Sequence, residues 1–399
     1  MRPWHSYSRH IGGTCAGTNQ EAAGLKILVT GGAGFIGTHL VRRLLIQGHE
    51  IIVLDNFLPQ VHSGSQELPA DLHKSVALIR GDVADYATLK TAVEHVQCIV
   101  HLAAETGTGQ SMYQVAGYNR TNLTGTALLL DLLANGKASK VERLVVASSR
   151  AIYGEGAYEC LIHGIVYPGP RSAESMQAGL FDPTCPICDE TVHTVPTTES
   201  APFAPASFYG LTKQVQEQMI LLMGGTLGIT SIALRYQNVF GPGQSLANPY
   251  TGILAIFSNL ARLDRPIHIF EDGLESRDFV YIDDVVEATC RAVETPLVGT
   301  YAINVGSGSR TSVMQVAREI VEFFGSDSEV QITGEFRIGD IRHGCADVTR
   351  LRGLLSCAPY RTFTTGLHKF LEWASESAPV SNGYDRSLEE LRSRRLMHG

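Results

Sequence analysis

A tyrosine and a lysine stand four residues apart in the stretch SFYGLTKQVQEQMI. Its apolar residues recur at helical spacing, so Tyr209 and Lys213 lie on one face, a turn apart. A phenol with a pKa of about 10 is a poor base at neutral pH. An adjacent ammonium favours the phenolate, and a phenolate so tuned can take the proton from an alcohol. A second polar group comes from SSRAIYGEGAY, where an apolar run ends in Ser148 and Ser149 ahead of Arg150. A hydroxyl at a strand tip can hold a substrate oxygen. Tyr-x-x-x-Lys occurs on many surface helices, so its meaning depends on what faces it.

The elements that would position these groups begin with LKILVTGGAGFIGTHLVRRLLIQGHEIIVLDN, an apolar run, a glycine-rich turn, a helical pattern and a second apolar run. This is a βαβ unit of a parallel sheet. Gly31, Gly34 and Gly37 allow a tight turn, close approach of backbone to a pyrophosphate, and close helix packing. The first helical turn, with Phe35 and Ile36, offers unpaired N–H groups to anionic oxygens. Asp55, followed by Asn56, ends the second run, where an acid accepts hydrogen bonds from ribose hydroxyls and repels a 2′-phosphate, favouring NAD over NADP.

Apolar runs continue with SVALIRGDVAD, QCIVHLAAE and VERLVVASS, separated by helical segments. The pattern predicts an α/β fold, a Rossmann-type doubly wound parallel sheet. Asp82 and Val83, just past the third strand, fall where adenine would rest, and Ala103 and Ala104 let a cofactor approach the fourth. Ligands bind outside the carboxyl ends of such strands, so residues 101–111 and 148–153 should share one crevice.

The chain has 399 residues, 44% hydrophobic and 18% charged, with a formal net charge of −8. It has no basic field for nucleic acid and no apolar run of about 18 residues to span a bilayer, so neither partner is expected. Residues 1–24 lack the apolar segment of a secretory signal, which points to the cytoplasm, and are read as a mobile tail. We divide the rest into a dinucleotide-binding domain over 25–236 with an insertion at 155–201, a smaller, mainly substrate-binding lobe over 237–375 from which 277–306 returns to the first domain, and a solvated or helical tail over 376–399.

Together, the glycine loop, Asp55, the serine-tipped strand and the Tyr-Lys pair resemble the extended short-chain dehydrogenase/reductase family, in particular its nucleotide-sugar epimerase and dehydratase branch, from about Leu25 to Trp373. The resemblance implies that Ser149, Tyr209 and Lys213 are catalytic and that Tyr209 and Lys213 also contact NAD. It implies transient oxidation of a sugar at C4 followed by return of hydrogen to the other face. Asn238 matches the residue that contacts the substrate diphosphate, and Arg277, Arg337 and Asp340 match positions that clamp the nucleotide. In the branch's 4,6-dehydratases an Asp-Glu pair follows the Ser/Thr; here the two positions are Arg150 and Ala151, and a methyl group cannot deliver a proton. HLAAETGTGQSMY, SSRAIYGEGAY, NPYTGILAIF and GDIRHGCAD look most like epimerases that interconvert dTDP-L-rhamnose and dTDP-6-deoxy-L-talose. The partner expected is therefore a nucleotide-diphosphate sugar of the dTDP class, with Thr106, Thr108, Gln110 and Arg150 forming part of the sugar pocket. Relatives pair through a four-helix interface, so a homodimer is expected. The rival readings are a 4,6-dehydratase or decarboxylase, and a non-catalytic NAD-binding regulator.

The eight cysteines are unlike a disulfide framework. The insertion carries Cys160-x-x-His163 and Cys185-x-x-Cys188, three thiols and an imidazole, the tetrahedral set of a closed structural zinc site. The bland alternative is two unrelated turns with reduced thiols. His193 is a spare ligand.

Overall fold

A computed structural model describes residues 24–62, 64–248, 250, 252–380 and 383–399, so the tail read over 1–24 lies, but for Gly24, outside the described residues. The apolar runs become strands β1 (Lys26–Thr30), β2 (Glu50–Asp55), β3 (Ala77–Arg80), β4 (Cys98–His101), β5 (Arg143–Ser149), β6 (Thr230–Tyr236) and β7 (Thr300–Val305). They form one sheet in the order β7-β6-β5-β4-β1-β2-β3, every neighbouring pair parallel. Both faces are covered by helices, which is why these strands read as continuous rather than alternating hydrophobic runs; all seven residues of β6 are buried. The fold is the Rossmann-type doubly wound sheet expected.

Register decides what meets at the carboxyl edge. Thr30 pairs with both Leu54 and His101, and Ser149 pairs with Tyr236. Asp55, Ala103, Ser149 and Gln237 therefore leave the sheet at one edge, where a doubly wound fold binds ligands. Helix α1 (Phe35–Ile46) starts from the glycine loop and α2 (Phe208–Leu227) carries Tyr209 and Lys213. Ser207 caps α2 by accepting from the Gly210 N–H at 3.1 Å, and Gly228 ends it with φ +68°.

Beyond β6 the chain builds the smaller lobe from α3 (Ile253–Arg262), α5 (Val313–Phe324) and the parallel strands Ile267–Ile269 and Val330–Ile332. Between these, Phe279–Tyr281 pairs with Asn238–Phe240 and leads into α4 (Ile282–Glu294), which packs on α1 before β7 joins the main sheet. One apolar core runs from Val29 and Leu40 under the sheet to Phe257, Ile320 and Phe370 in the lobe.

The C-terminal segment, read as a solvated or helical appendage, contains a helix, but one that packs on the rest of the protein. Helix α6 (Tyr384–Ser393) is docked, with Tyr384, Leu388 and Leu391 buried, and Met397–His398 forms an antiparallel pair with Phe336–Arg337. The apolar residues recur every three or four positions, so a helix gathers them into one stripe that average composition hides.

Candidate active site

The glycine loop is tight for steric reasons. Gly31 has φ +70°, and a Cβ there would lie 2.8 Å from the Ala103 nitrogen; one on Gly37 would lie 2.4 Å from the Gly31 oxygen. The loop thus lies flush against β4 and α1 begins without a side chain in the way, leaving its first N–H groups open to an anion. Asp55 is buried, its carboxylate accepting from the Ala33 N–H at 3.0 Å and the Phe57 N–H at 2.9 Å. These features fit a dinucleotide. They line a crevice of about 450 Å³ that reaches from the loop to Tyr209 and Asn238.

Every residue assigned to the dinucleotide from the sequence lines this crevice except Asp82, which instead accepts from the Ala84 N–H at 2.8 Å and pairs with Arg120. The turn after β3 points its carboxylate back along its own backbone.

Ser149, Tyr209 and Lys213 converge at the far end. Burial pushes the Tyr209 phenol up, while a hydrogen bond with the Ser149 hydroxyl and the nearby Arg150 guanidinium pull it down. Lys213 Nζ donates to the Ala147 carbonyl at 2.9 Å and to Gln216 Oε1 at 2.8 Å, and burial pushes its pKa down to about 7. The groups opposing burial of the phenol are thus Ser149 and Arg150, whereas the sequence pointed to Lys213, whose ammonium is engaged elsewhere. Ser148 lies outside this trio, donating to Glu217 Oε2 at 2.5 Å. Such an arrangement can exchange a proton with an alcohol held between Tyr209 and Ser149.

Thr106, Thr108, Arg150 and Asn238 line the same crevice, and Arg150 Nε donates to Asn238 Oδ1 at 3.2 Å. Burial and the neighbouring Arg277 push Arg150 down to about 10, so it remains a cation at neutral pH. Gln110 does not line the crevice: its amide makes reciprocal hydrogen bonds with Gln60 at 2.9 and 3.0 Å. Arg277, Arg337 and Asp340 line a second cavity of about 70 Å³ that shares Ile253 with the first. Burial pushes the Asp340 carboxyl up, but Arg277, Arg337, Arg150 and Arg171 together hold it at about 2. A field that strong suits a diphosphate.

Several residues here escaped the sequence reading. Gln216 holds both Lys213 and, through Nε2, the Thr126 hydroxyl; its place three residues after Lys213 on one helix face was a usable signal. Asn122 fixes the loop after β4 by bonding both the N–H and the carbonyl of Glu105. Glu275 lines the second cavity, 6% exposed, with Oε2 lacking a partner, and burial pushes its pKa up to about 7.

Residues 27–172 and 182–306 match the NAD dependent epimerase/dehydratase family. The chain belongs to that family. It is similar to the dTDP-L-rhamnose 4-epimerase of Burkholderia thailandensis, 37% identical over 90% of this chain and 97% of the relative. It is also similar to the UDP-N-acetyl-alpha-D-glucosaminuronate decarboxylase of Bacillus cytotoxicus, 26% identical over 88% of this chain and 98% of that one. Among solved structures, the Thermus thermophilus UDP-glucose 4-epimerase complex with NAD matches with a TM-score of 0.68 at 27% identity, covering 89% of this chain and all of that one. The glycine loop, Asp55 and the Tyr-Lys helix all lie within the matched residues. No helix among the described residues is long and apolar enough to cross a membrane.

Proposed function

We propose that the protein is a nucleotide-sugar 4-epimerase that binds NAD in the crevice and interconverts dTDP-L-rhamnose and dTDP-6-deoxy-L-talose. The observation that carries this reading is the convergence of Tyr209, Ser149, Arg150 and Lys213 at the end of the glycine-loop crevice. The dTDP-L-rhamnose assignment is supported by the 37% identity with an enzyme of that name.

In the proposed reaction Arg277 and Arg337 hold the diphosphate and Asn238 contacts it from the crevice side. Ser149 donates to the C4 oxygen, and Tyr209 as phenolate takes the C4 hydroxyl proton, helped by the cationic Arg150. Bound NAD⁺ supplies the acceptor, and after the sugar turns over the donor, of the C4 hydrogen. Tyr209 then returns the proton to the same C4 oxygen, C4 having received its hydrogen on the opposite face. Lys213, once turned from Ala147 and Gln216, serves the cofactor ribose and the phenolate. Leu211 and Leu222 of α2 are exposed, which favours pairing with a second copy.

Ala151 weighs against a dehydratase because it brings no proton to the position where that branch carries an acid. The two are separated by running the reaction on a panel of dTDP- and UDP-sugars in D₂O and reading products by NMR. Epimerisation leaves C4 without deuterium and returns a sugar of unchanged mass. A stable 4-keto-6-deoxy product with exchange at C5 overturns the proposal in favour of a lyase. Binding of NAD with no turnover of any sugar favours the regulator.

A further inference from the structure

The insertion is too poor in apolar residues to hold itself. Its three short antiparallel strands, Tyr158–Cys160, Gly164–Val166 and His193–Thr194, enclose a core of Tyr158, Cys160, Val166, Cys185 and Val192. A core that small does not fix a segment of this length without a staple. At its centre four ligand atoms lie within 4.8 Å of one another, from Cys160, His163, Cys185 and Cys188. His193 is not one of them.

The separations match one particular ion geometry. With Zn–S about 2.3 Å and Zn–N about 2.0 Å, a tetrahedral site has sulfurs about 3.8 Å apart and sulfur and nitrogen about 3.5 Å apart. Here Cys160 Sγ lies 3.8 Å from Cys188 Sγ, and His163 Nδ1 lies 3.7 Å from Cys160 Sγ and 3.6 Å from Cys185 Sγ. Backbone N–H groups of Ile162 and His163 point at the Cys160 sulfur, and those of Ile187 and Cys188 at the Cys185 sulfur. Each turn thus presents its thiolate with its negative charge already solvated by amides. Four protein ligands close the site, and none of them lines the catalytic crevice, so an ion here holds structure rather than substrate.

What it would hold is visible in the contacts of the insertion with the loop bearing Arg337 and Asp340. Arg171 is wholly committed: Nε donates to Glu155 Oε1 at 2.9 Å, Nη1 to the Phe181 carbonyl at 3.0 Å, and Nη2 to the Asp340 carbonyl at 3.1 Å and to Glu271 at 2.8 Å. Glu155 Oε2 accepts from the Arg342 N–H at 2.8 Å, and Asp182 accepts from Arg342 Nε at 2.7 Å. The backbone on both sides of Ile341 is gripped from the insertion, next to the Asp340 carboxylate that holds Arg277 at 2.8 Å.

We propose that Cys160, His163, Cys185 and Cys188 bind one Zn²⁺, and that this ion keeps the insertion in the form that positions the nucleotide clamp through Arg171 and Glu155. Binding releases the three thiol protons and leaves the oxidation states of metal and sulfur unchanged. The second half rests on the proposed nucleotide-sugar function; the first does not.

The test uses the full-length protein with whatever NAD it retains. Metal analysis should give about one zinc per chain, and Co²⁺ replacing it should show the bands of a tetrahedral thiolate site. Cys185→Ser should lower the zinc content at least several-fold. Zinc-free protein that takes up no Zn²⁺ when it is supplied overturns the site, as does a mass two hydrogens lower that reports a disulfide. The clamp is read by titrating dTDP and UDP into wild-type protein, zinc-depleted wild-type protein and Arg171→Met. Depletion and Arg171→Met should each weaken nucleotide binding by about tenfold, with NAD content unchanged and, for Arg171→Met, zinc retained and KM raised far more than kcat falls. Arg171→Lys should recover part of the loss. Nucleotide binding that survives both changes intact overturns the coupling, whereas a wild-type protein that binds neither nucleotide contradicts the functional reading instead.

Discussion

The proposed catalytic end of the crevice and the junction between the insertion and the proposed clamp are both buried and rich in charge, yet they treat charge in opposite ways. At the junction Arg171, Arg342, Glu155 and Glu271 are each paired more than once, and Glu271 accepts from both guanidiniums at 2.8 and 2.9 Å. In the crevice Lys213 has hydrogen bonds but no opposite charge in contact, and burial moves both it and Tyr209 toward their neutral forms. Paired ions give position. Unpaired, the Lys213 amine is brought to a pKa of about 7, whereas the Tyr209 phenol is held above its ordinary value and needs an added positive charge to ionise.

The largest expected break comes from Tyr209→Phe, which removes the proposed base. It should cut turnover by about 10³-fold, within the range for general acid–base groups, while NAD content and thermal stability stay at wild-type values. Undiminished epimerisation by this variant refutes the assigned base. Glu271→Gln attacks the other region. Leaving two buried guanidiniums short of a partner should cost about 3–5 kcal/mol of stability in urea titration, with kcat nearly unchanged in the protein that remains folded; equal stability would mean the pairs are not closed in solution.

A third measurement sharpens the contrast through pH. Lys213 releases its proton near 7 in the folded protein and near 10.5 when unfolded. Between those values the unfolded chain binds more protons, so Lys213 makes stability rise as pH rises from 7 toward 10.5. Lys213→Met should flatten that part of the stability profile, and a profile that keeps its slope shows the amine to be charged in the fold. The smallest effect concerns Glu275, which ionises near pH 7 beside the cavity of Arg277 and Arg337. Its negative form repels a diphosphate, so KM for the nucleotide sugar should climb a few-fold as pH passes above 7 and stay level in Glu275→Gln. Identical KM profiles for the two proteins would remove Glu275 from the nucleotide site.

Legibility in the sequence followed the range over which each feature is specified. The glycine loop, the buried strands and the Tyr-Lys turn are local patterns with strict steric or periodic demands, and the sheet and the crevice followed from them. Gln110 could be placed near the crevice but not aimed, because its partner Gln60 lies fifty residues away on another loop. Asp82 differs in another way: strand ends locate a turn, whereas which way its carboxylate faces depends on the bend that brings it to the Ala84 N–H. Lys213 was set beside Tyr209 by helical spacing, but its hydrogen bonds depend on Ala147 at the end of another strand. The docking of the C-terminal helix was missed because charge dominates its composition while its buried apolar residues are only Tyr384, Leu388 and Leu391.

That helix and the strand after it bear on how the protein is born. Phe336–Arg337 finds its strand partner in Met397–His398, and Glu390 accepts from Tyr113 and Tyr250 at the crevice rim. The sheet around β1 can assemble while synthesis continues, but the clamp strand stays single until residue 398 has cleared the ribosome tunnel. The cavity that Arg337 lines is therefore completed only after the rest of the sheet.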